Sequence, residues 1–217
     1  MKPRLDVLPQ QQRRFWPAFS ELPEHFVLYG GTAIGLRLGG RQSVDFDFFT
    51  NQPISARSRT DSIRAEHFNF TVHREGEIKV SFFDGLTIGR VADPERCDDN
   101  GVFIASLLDL AAQKMKVILA RAEAKDYLDI YTLLKAGIIL PRALGAAKAL
   151  CPEFNPVLSL KALAYHGESN LAAMPAEIRE FLTTASAKVE SIETIPKIAP
   201  GISPSNRNTR GQTQIKN

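Results

Sequence analysis

The sequence predicts an α+β fold: a mixed-sheet lobe over residues 1–105, a helical lobe over 106–194 and a disordered tail over 195–217. Three observations carry this. Short apolar or alternating runs, separated by Gly, Pro and Asp, fill the first half as strands joined by tight connections do. From Ser106 the apolar residues recur at three- and four-residue spacing with Pro or Gly at the joints, the mark of amphipathic helices. The tail, IPKIAPGISPSNRNTRGQTQIKN, is rich in Pro, Gly, Ser, Asn and Gln and has no aromatic residue, a composition poor in apolar surface to bury.

The elements follow in order. A first helix is expected over residues 9–21, where Phe15, Trp16 and Phe19 supply packing contacts and Pro17 bends the axis. HFVLYG, residues 25–30, is an apolar run ending in Gly and reads as a buried strand that stops where the backbone needs special freedom. Gly31 and Thr32 open a helix with Ala33, Ile34, Leu36 and Leu38 as its apolar contacts, and Gly39 and Gly40 end it. Residues 44–50 alternate as a strand, with Asp45 and Asp47 on one face and Val44, Phe46 and Phe48 on the other. A helix near 54–65 and strands near 66–73, 77–83, 86–92 and 102–105 complete the first lobe. Helices are then expected over 107–121, from a break at Ala122 and Glu123 onward, and near 141–150, 155–165 and 175–190.

Two constellations point to chemistry. The first amides of the helix after Gly30 lack intrahelical partners and sit at the positive end of the helix dipole, so Gly30, Gly31 and Thr32 suit a triphosphate. Asp45 and Asp47, side by side on a strand face, repel each other unless a cation lies between them, and their oxygens suit Mg²⁺; a solvated strand face is the alternative. Gly30, Gly31 and Gly35 do not fit the G-x-G-x-x-G spacing of a dinucleotide-binding fold. In the second constellation, Lys114 shares a helix face with Leu107, Leu110, Ala111, Val117 and Ile118, so it either snorkels outward or meets an inward anion. Asp126 shares the face of Ile130, Leu133 and Leu134 on the next helix, with Asp129 one turn on. Lys114 and Asp126 either pair structurally or face a cleft together.

Gly-Gly, a one-helix spacer and an apolar-Asp-apolar-Asp-apolar strand resemble the signature of the polymerase-β-like nucleotidyltransferase superfamily. Within it, GGTAIGLRLGGRQSVDFDFFT resembles the first motif of the AbiEii/AbiGii toxin nucleotidyltransferases of bacterial toxin-antitoxin and abortive-infection systems. Arg41, Ser43, Asp45 and Asp47 fall on that family's Arg-x-Ser-x-Asp-x-Asp. Its later motifs resemble the region of Lys114 followed by Arg121, Lys125, Asp126 and Asp129, and the likeness spans about residues 9–190. The resemblance implies a Mg²⁺-dependent transferase that moves a nucleoside monophosphate from an NTP to a hydroxyl of RNA, such as a tRNA 3′ end, or of a protein. A cognate antitoxin is the implied partner. Asp45, Asp47, Lys114 and Asp126 are the implied catalytic set: Asp45 and Asp47 hold Mg²⁺, Lys114 contacts phosphate and Asp126 organises the site. Gly30, Gly31, Thr32, Arg41 and Ser43 are the implied nucleotide-binding residues. One departure stands out. The superfamily often places a third carboxylate in the middle of a later strand, whereas the 77–83 strand centres on Lys79 and Ser81, with Glu77 and Asp84 only flanking it. A single Mg²⁺ is therefore expected, and a catalytically inactive nucleotide- or partner-binding member of the fold is the alternative.

Composition bounds the rest. With 44% hydrophobic and 24% charged residues the chain is ordinary globular material. No apolar run approaches about 20 residues and the start lacks a signal-peptide core, so a cytoplasmic protein without a membrane segment is expected. Cys97 and Cys151 form no CxxC site, and His25, His67, His73 and His166 show no zinc spacing. The absence of G-x-S-x-G removes the usual cue for a serine hydrolase. The formal net charge is +3, and residues 195–217 hold four basic and no acidic residues, so the remainder carries a net −1. Net charge thus shows no nucleic-acid face in the folded part, leaving a local patch of Arg13, Arg14, Arg37 and Arg41 as the candidate.

Overall fold

The computed structural model describes residues 1–53, 69–75, 78–167 and 169–204. A mixed six-stranded sheet forms one side of the molecule. Its middle strand, β1 (Val27–Tyr29), pairs antiparallel with β2 (Asp45–Phe49) and parallel with β6 (Phe103–Ile104). Beyond β2 lies β4 (Ile78–Asp84), parallel to it, and then β3 (Asn69–Glu75), antiparallel to β4. The two-residue β5 (Glu95–Arg96) closes the far edge against β6.

The period-two alternation of β2 sends Phe46 and Phe48 fully into the core. Phe19 meets both rings edge-on, at 4.8 and 4.9 Å between centroids, and Trp16 stacks on Phe46. Edge-to-face and offset stacking are the arrangements the ring quadrupoles favour, and burial of this area dominates the lobe's stability. The expected helix over 9–21 is two pieces: α1 (Gln10–Phe15), then a 3₁₀-helix over Trp16–Glu21. Pro17, lacking an N–H, cannot continue the α-helical ladder. Tightening the turn aims Trp16 and Phe19 at the sheet.

Helix α2 (Gly30–Leu38) starts directly from β1, one residue earlier than the sequence suggests, because Gly30 itself takes φ 78°. Gly39, at φ 83°, ends it with a backbone bond from its N–H to the Gly35 carbonyl. After the sheet, Ser106 caps α3 (Leu107–Ala120) by accepting from the Asp109 N–H. Then come α4 (Ala124–Lys135), α5 (Leu140–Leu150), α6 (Pro156–Ala164) and α7 (Ala176–Ala187). α3 is the hub, packing on α4, α5 and α6. Among the described residues no single helix is long and apolar enough to cross a membrane.

Two expectations are corrected. Residues 86–92 are not a ladder strand; only Arg90 makes an isolated bridge, to Ala199. Side chains satisfy this backbone instead: Asn51 donates to the carbonyls of Leu86 and Ile88, and Asp109 accepts from the amides of Val91 and Ala92. The tail is not wholly loose either. Residues 197–204 run along the sheet lobe: the Arg90 guanidinium donates to the Gly201 carbonyl at 2.7 Å, the Ile202 N–H donates to Asn51 at 2.6 Å, and Ile202 is buried. Composition misled because a single well-placed Ile, with its backbone bonds met by side chains elsewhere, anchors a polar segment. The expected 54–65 helix, the start of the 66–73 strand, Glu77 and the tail beyond 204 lie outside the described residues.

Candidate active site

β2, β4, α2 and α3 enclose a cleft of about 360 Å³, with the loop after α2 and the start of α4 at its rim. Gly30 and Gly31 line it where α2 begins, and among the described residues no side chain caps that helix, so its first amides remain available to a ligand. Gly30 is required by its backbone and by close approach, and Gly31 leaves room for a neighbouring side chain. A Cβ on Gly30 would stand 2.9 Å from an Asp47 carboxylate oxygen in a backbone conformation unsuited to other residues, and one on Gly31 would overlap the Arg41 guanidinium.

Asp45 and Asp47 project from β2 into the cleft. The parallel pairing of β2 with β4 sets Lys79 beside Asp45 and Ser81 beside Asp47. Burial pushes the Asp47 carboxyl above its ordinary range; the Asp45 charge adds to this, while Lys79, a hydrogen bond from Ser81 and Lys114 pull the other way. Burial and the mutual repulsion of the two carboxylates oppose their joint ionisation, so a cation bound between them would stabilise the ionised pair. Among the described residues no cluster of three or more His, Cys, Asp or Glu side chains could hold a metal. The donor set nevertheless fits Mg²⁺, which binds through one or two carboxylates and completes its octahedron with water and substrate phosphate.

The opposite wall is a chain of alternating charge. Arg41 grips Asp129 with two parallel hydrogen bonds of 2.8 Å, and Lys114 reaches Asp129 and Asp126 at 2.7 Å each. Asp126 in turn accepts from Arg121 at 3.0 Å. Burial opposes the Asp126 charge, but the hydrogen bonds and charges of Lys114 and Arg121 outweigh it and hold the carboxyl below its usual range. Lys114 is thus inward, as its helix face indicates, and it both pairs structurally and faces the cleft.

Of the residues singled out in the sequence, Gly30, Gly31, Arg41, Ser43, Asp45, Asp47 and Lys114 line the cleft together. Asp126 stands behind Lys114. Thr32 is not among the lining residues; it is buried, and its hydroxyl donates to the Asp45 carbonyl, tying α2 to β2. Val44 lies just ahead of β2, exposed at the cleft and not in the core. Of the four arginines of the expected patch, only Arg41 lines the cleft; Arg13 donates to the carbonyls of Asp6 and Leu8, and Arg37 pairs with Glu95. Gln42, Lys79, Phe83 and Gln113 are among the additions. Lys79 was legible as an oddity at the centre of a strand, but its place beside Asp45 depends on a strand register that local sequence does not encode.

Residues 14–104 and 54–195 match the family described as nucleotidyl transferase AbiEii toxin, type IV TA system. The chain belongs to this AbiEii family. The match covers most of the chain, including every cleft residue described above. An uncharacterized protein of Aquifex aeolicus (strain VF5) is 34% identical over 121 residues, which is 51% of this chain and 58% of that relative. The AbiEii assignment and the cleft agree on a nucleotidyl transferase fold.

Proposed function

We propose that the protein transfers a nucleoside monophosphate from an NTP to a hydroxyl of RNA, a tRNA 3′ end being the type of acceptor, or of a protein, and that an antitoxin restrains it in the cytoplasm. The observation that carries this reading is the meeting of Asp45 and Asp47 with the uncapped start of α2 in one cleft. Asp45 and Asp47 would hold Mg²⁺, which when bound supplies charge neutralisation for the phosphates. The amides of Gly30 and Gly31 receive phosphate oxygens, and Ser43 offers a hydroxyl at the same wall. The acceptor hydroxyl attacks the α-phosphate in line, its oxygen–phosphorus bond forms as the bond to the leaving pyrophosphate breaks, and its proton passes to a carboxylate or water. No covalent enzyme intermediate is needed, so catalysis is mainly positioning and charge stabilisation.

One observation favours a second reading, a nucleotide- or partner-binding protein without turnover: β4 offers Lys79 and Ser81, not a carboxylate, beside the aspartate pair. Incubating the protein with each α-phosphate-labelled NTP, Mg²⁺ and total RNA or protein separates the two. The transferase reading expects label on one acceptor class, lost in an Asp45→Asn/Asp47→Asn variant. Mg²⁺-dependent NTP binding with no label in any acceptor would establish the second reading.

A further inference from the structure

Five cations line the cleft: Arg41, Lys79, Lys114, Arg121 and Lys125. Four are committed to carboxylates. Arg41 is held by Asp129, Lys114 by Asp126 and Asp129, Arg121 by Asp126, and Lys125 by Glu123 at 2.7 Å. Lys79 has no ion pair among the described residues. It is half-buried in β4, in register with Asp45, and with Ser81 it occupies the centre of the strand where the family resemblance leads one to expect a further carboxylate. An ammonium at that place cannot ligate a metal. It can do what a second metal would do for a substrate anion, supplying positive charge that acts on Asp47 but is held in no ion pair among the described residues.

We infer that Lys79 is the phosphate anchor of this cleft, binding the triphosphate of the NTP and staying with the pyrophosphate as it leaves. The inference rests on the transferase reading above and moves the role of phosphate cation from Lys114 to Lys79. Lys114 is a poorer candidate for it because it is buried and already paired with two carboxylates at 2.7 Å. An incoming phosphate would have to compete with both. Lys79, on a flexible four-carbon stem, presents three donors that nothing described occupies, and lysine serves phosphate as a mobile point charge.

The test is calorimetry of inorganic tripolyphosphate binding to the full chain, with and without Mg²⁺, for wild type, Lys79→Met and Lys79→Arg. Lys79→Met is expected to weaken binding about tenfold, equivalent to ~1.4 kcal/mol, and Lys79→Arg to retain most of it. A lysine that merely balances the aspartate charges behaves differently. Removing it in an Asp45→Asn/Asp47→Asn background would then leave metal-free tripolyphosphate binding unchanged, whereas a direct anchor still loses affinity there. Unaltered affinity in Lys79→Met, or a wild type that binds no tripolyphosphate, overturns the inference. The two readings fail separately. Label transfer that Lys79→Met matches to wild type sinks the anchor and leaves the transferase standing; tripolyphosphate binding lost in Lys79→Met, with no label moved by wild type, does the reverse.

Discussion

Asp126 and Asp47 carry the same functional group and are displaced in opposite directions, so they give opposite pH signatures. Asp126 is held below the usual carboxylate range by Lys114 and Arg121 against the effect of its burial. Its contribution to stability is therefore present above the unfolded value and is lost as pH falls through the lowered folded one. Asp47 is pushed up, chiefly by burial and then by Asp45, so its ionisation opposes folding and stability recovers as pH falls from above the raised folded value toward the unfolded one. Asp126→Asn should cost about 3 kcal/mol in urea denaturation at neutral pH, because it removes a partner from the buried Lys114. Asp47→Asn should instead stabilise the fold by roughly 1 kcal/mol while abolishing transfer, the pattern of a site that gives up stability for function. Denaturation midpoints followed from neutral pH through the carboxylate range would show the acid-side loss disappear in the first variant and the recovery disappear in the second. A destabilised Asp47→Asn would contradict this account of the pair.

At the scale of single elements, the start of α3 and the start of α2 were both written locally. Ser106 is followed three residues later by Asp109, and the two side chains close a reciprocal cap in which the serine accepts from the Asp109 N–H and donates to its carboxylate. Ser106→Ala should cost about 1 kcal/mol in thermal or urea unfolding. The cost would be compounded if Asp109, which also holds the amides of Val91 and Ala92, loses its orientation. Gly30 is legible as the end of an apolar run, but not the reason for it: the carboxylate of Asp47 comes from the strand beside it. Gly30→Ala combines a left-handed backbone with that clash and should destabilise by about 1–2 kcal/mol and depress NTP binding, read by calorimetry. The strand expected over 86–92 failed for a related reason, since Asn51 and Asp109 reach its backbone from distant parts of the chain.

Across the whole molecule, one ion pair and one strap join what the sequence reads as separate parts. Arg41, in the loop before β2, closes on Asp129 of α4, so the aspartate-bearing strand is fixed relative to the helices that hold Lys114. Residues 195–204 return from the helical end to the sheet lobe and seat Ile202 against it. Ile202→Ala should lower stability by about 2–3 kcal/mol in urea denaturation, with tripolyphosphate affinity unchanged because the strap lies apart from the cleft residues. A midpoint equal to wild type would show that the strap is not part of the folded unit.

The sequence by itself determined most of the strands and helices, though not the 86–92 loop or the two-residue β5, together with the aspartate pair on one strand face, the inward face of Lys114 and the family, because periodicity, glycine placement and motif spacing are local properties of the chain. Only the tertiary structure decided which charges remain for a ligand. Strand register puts Lys79 beside Asp45, and the crossing of α3 and α4 spends Lys114 on Asp126 and Asp129, since partnership between ions depends on distances through space that no spacing along the chain records.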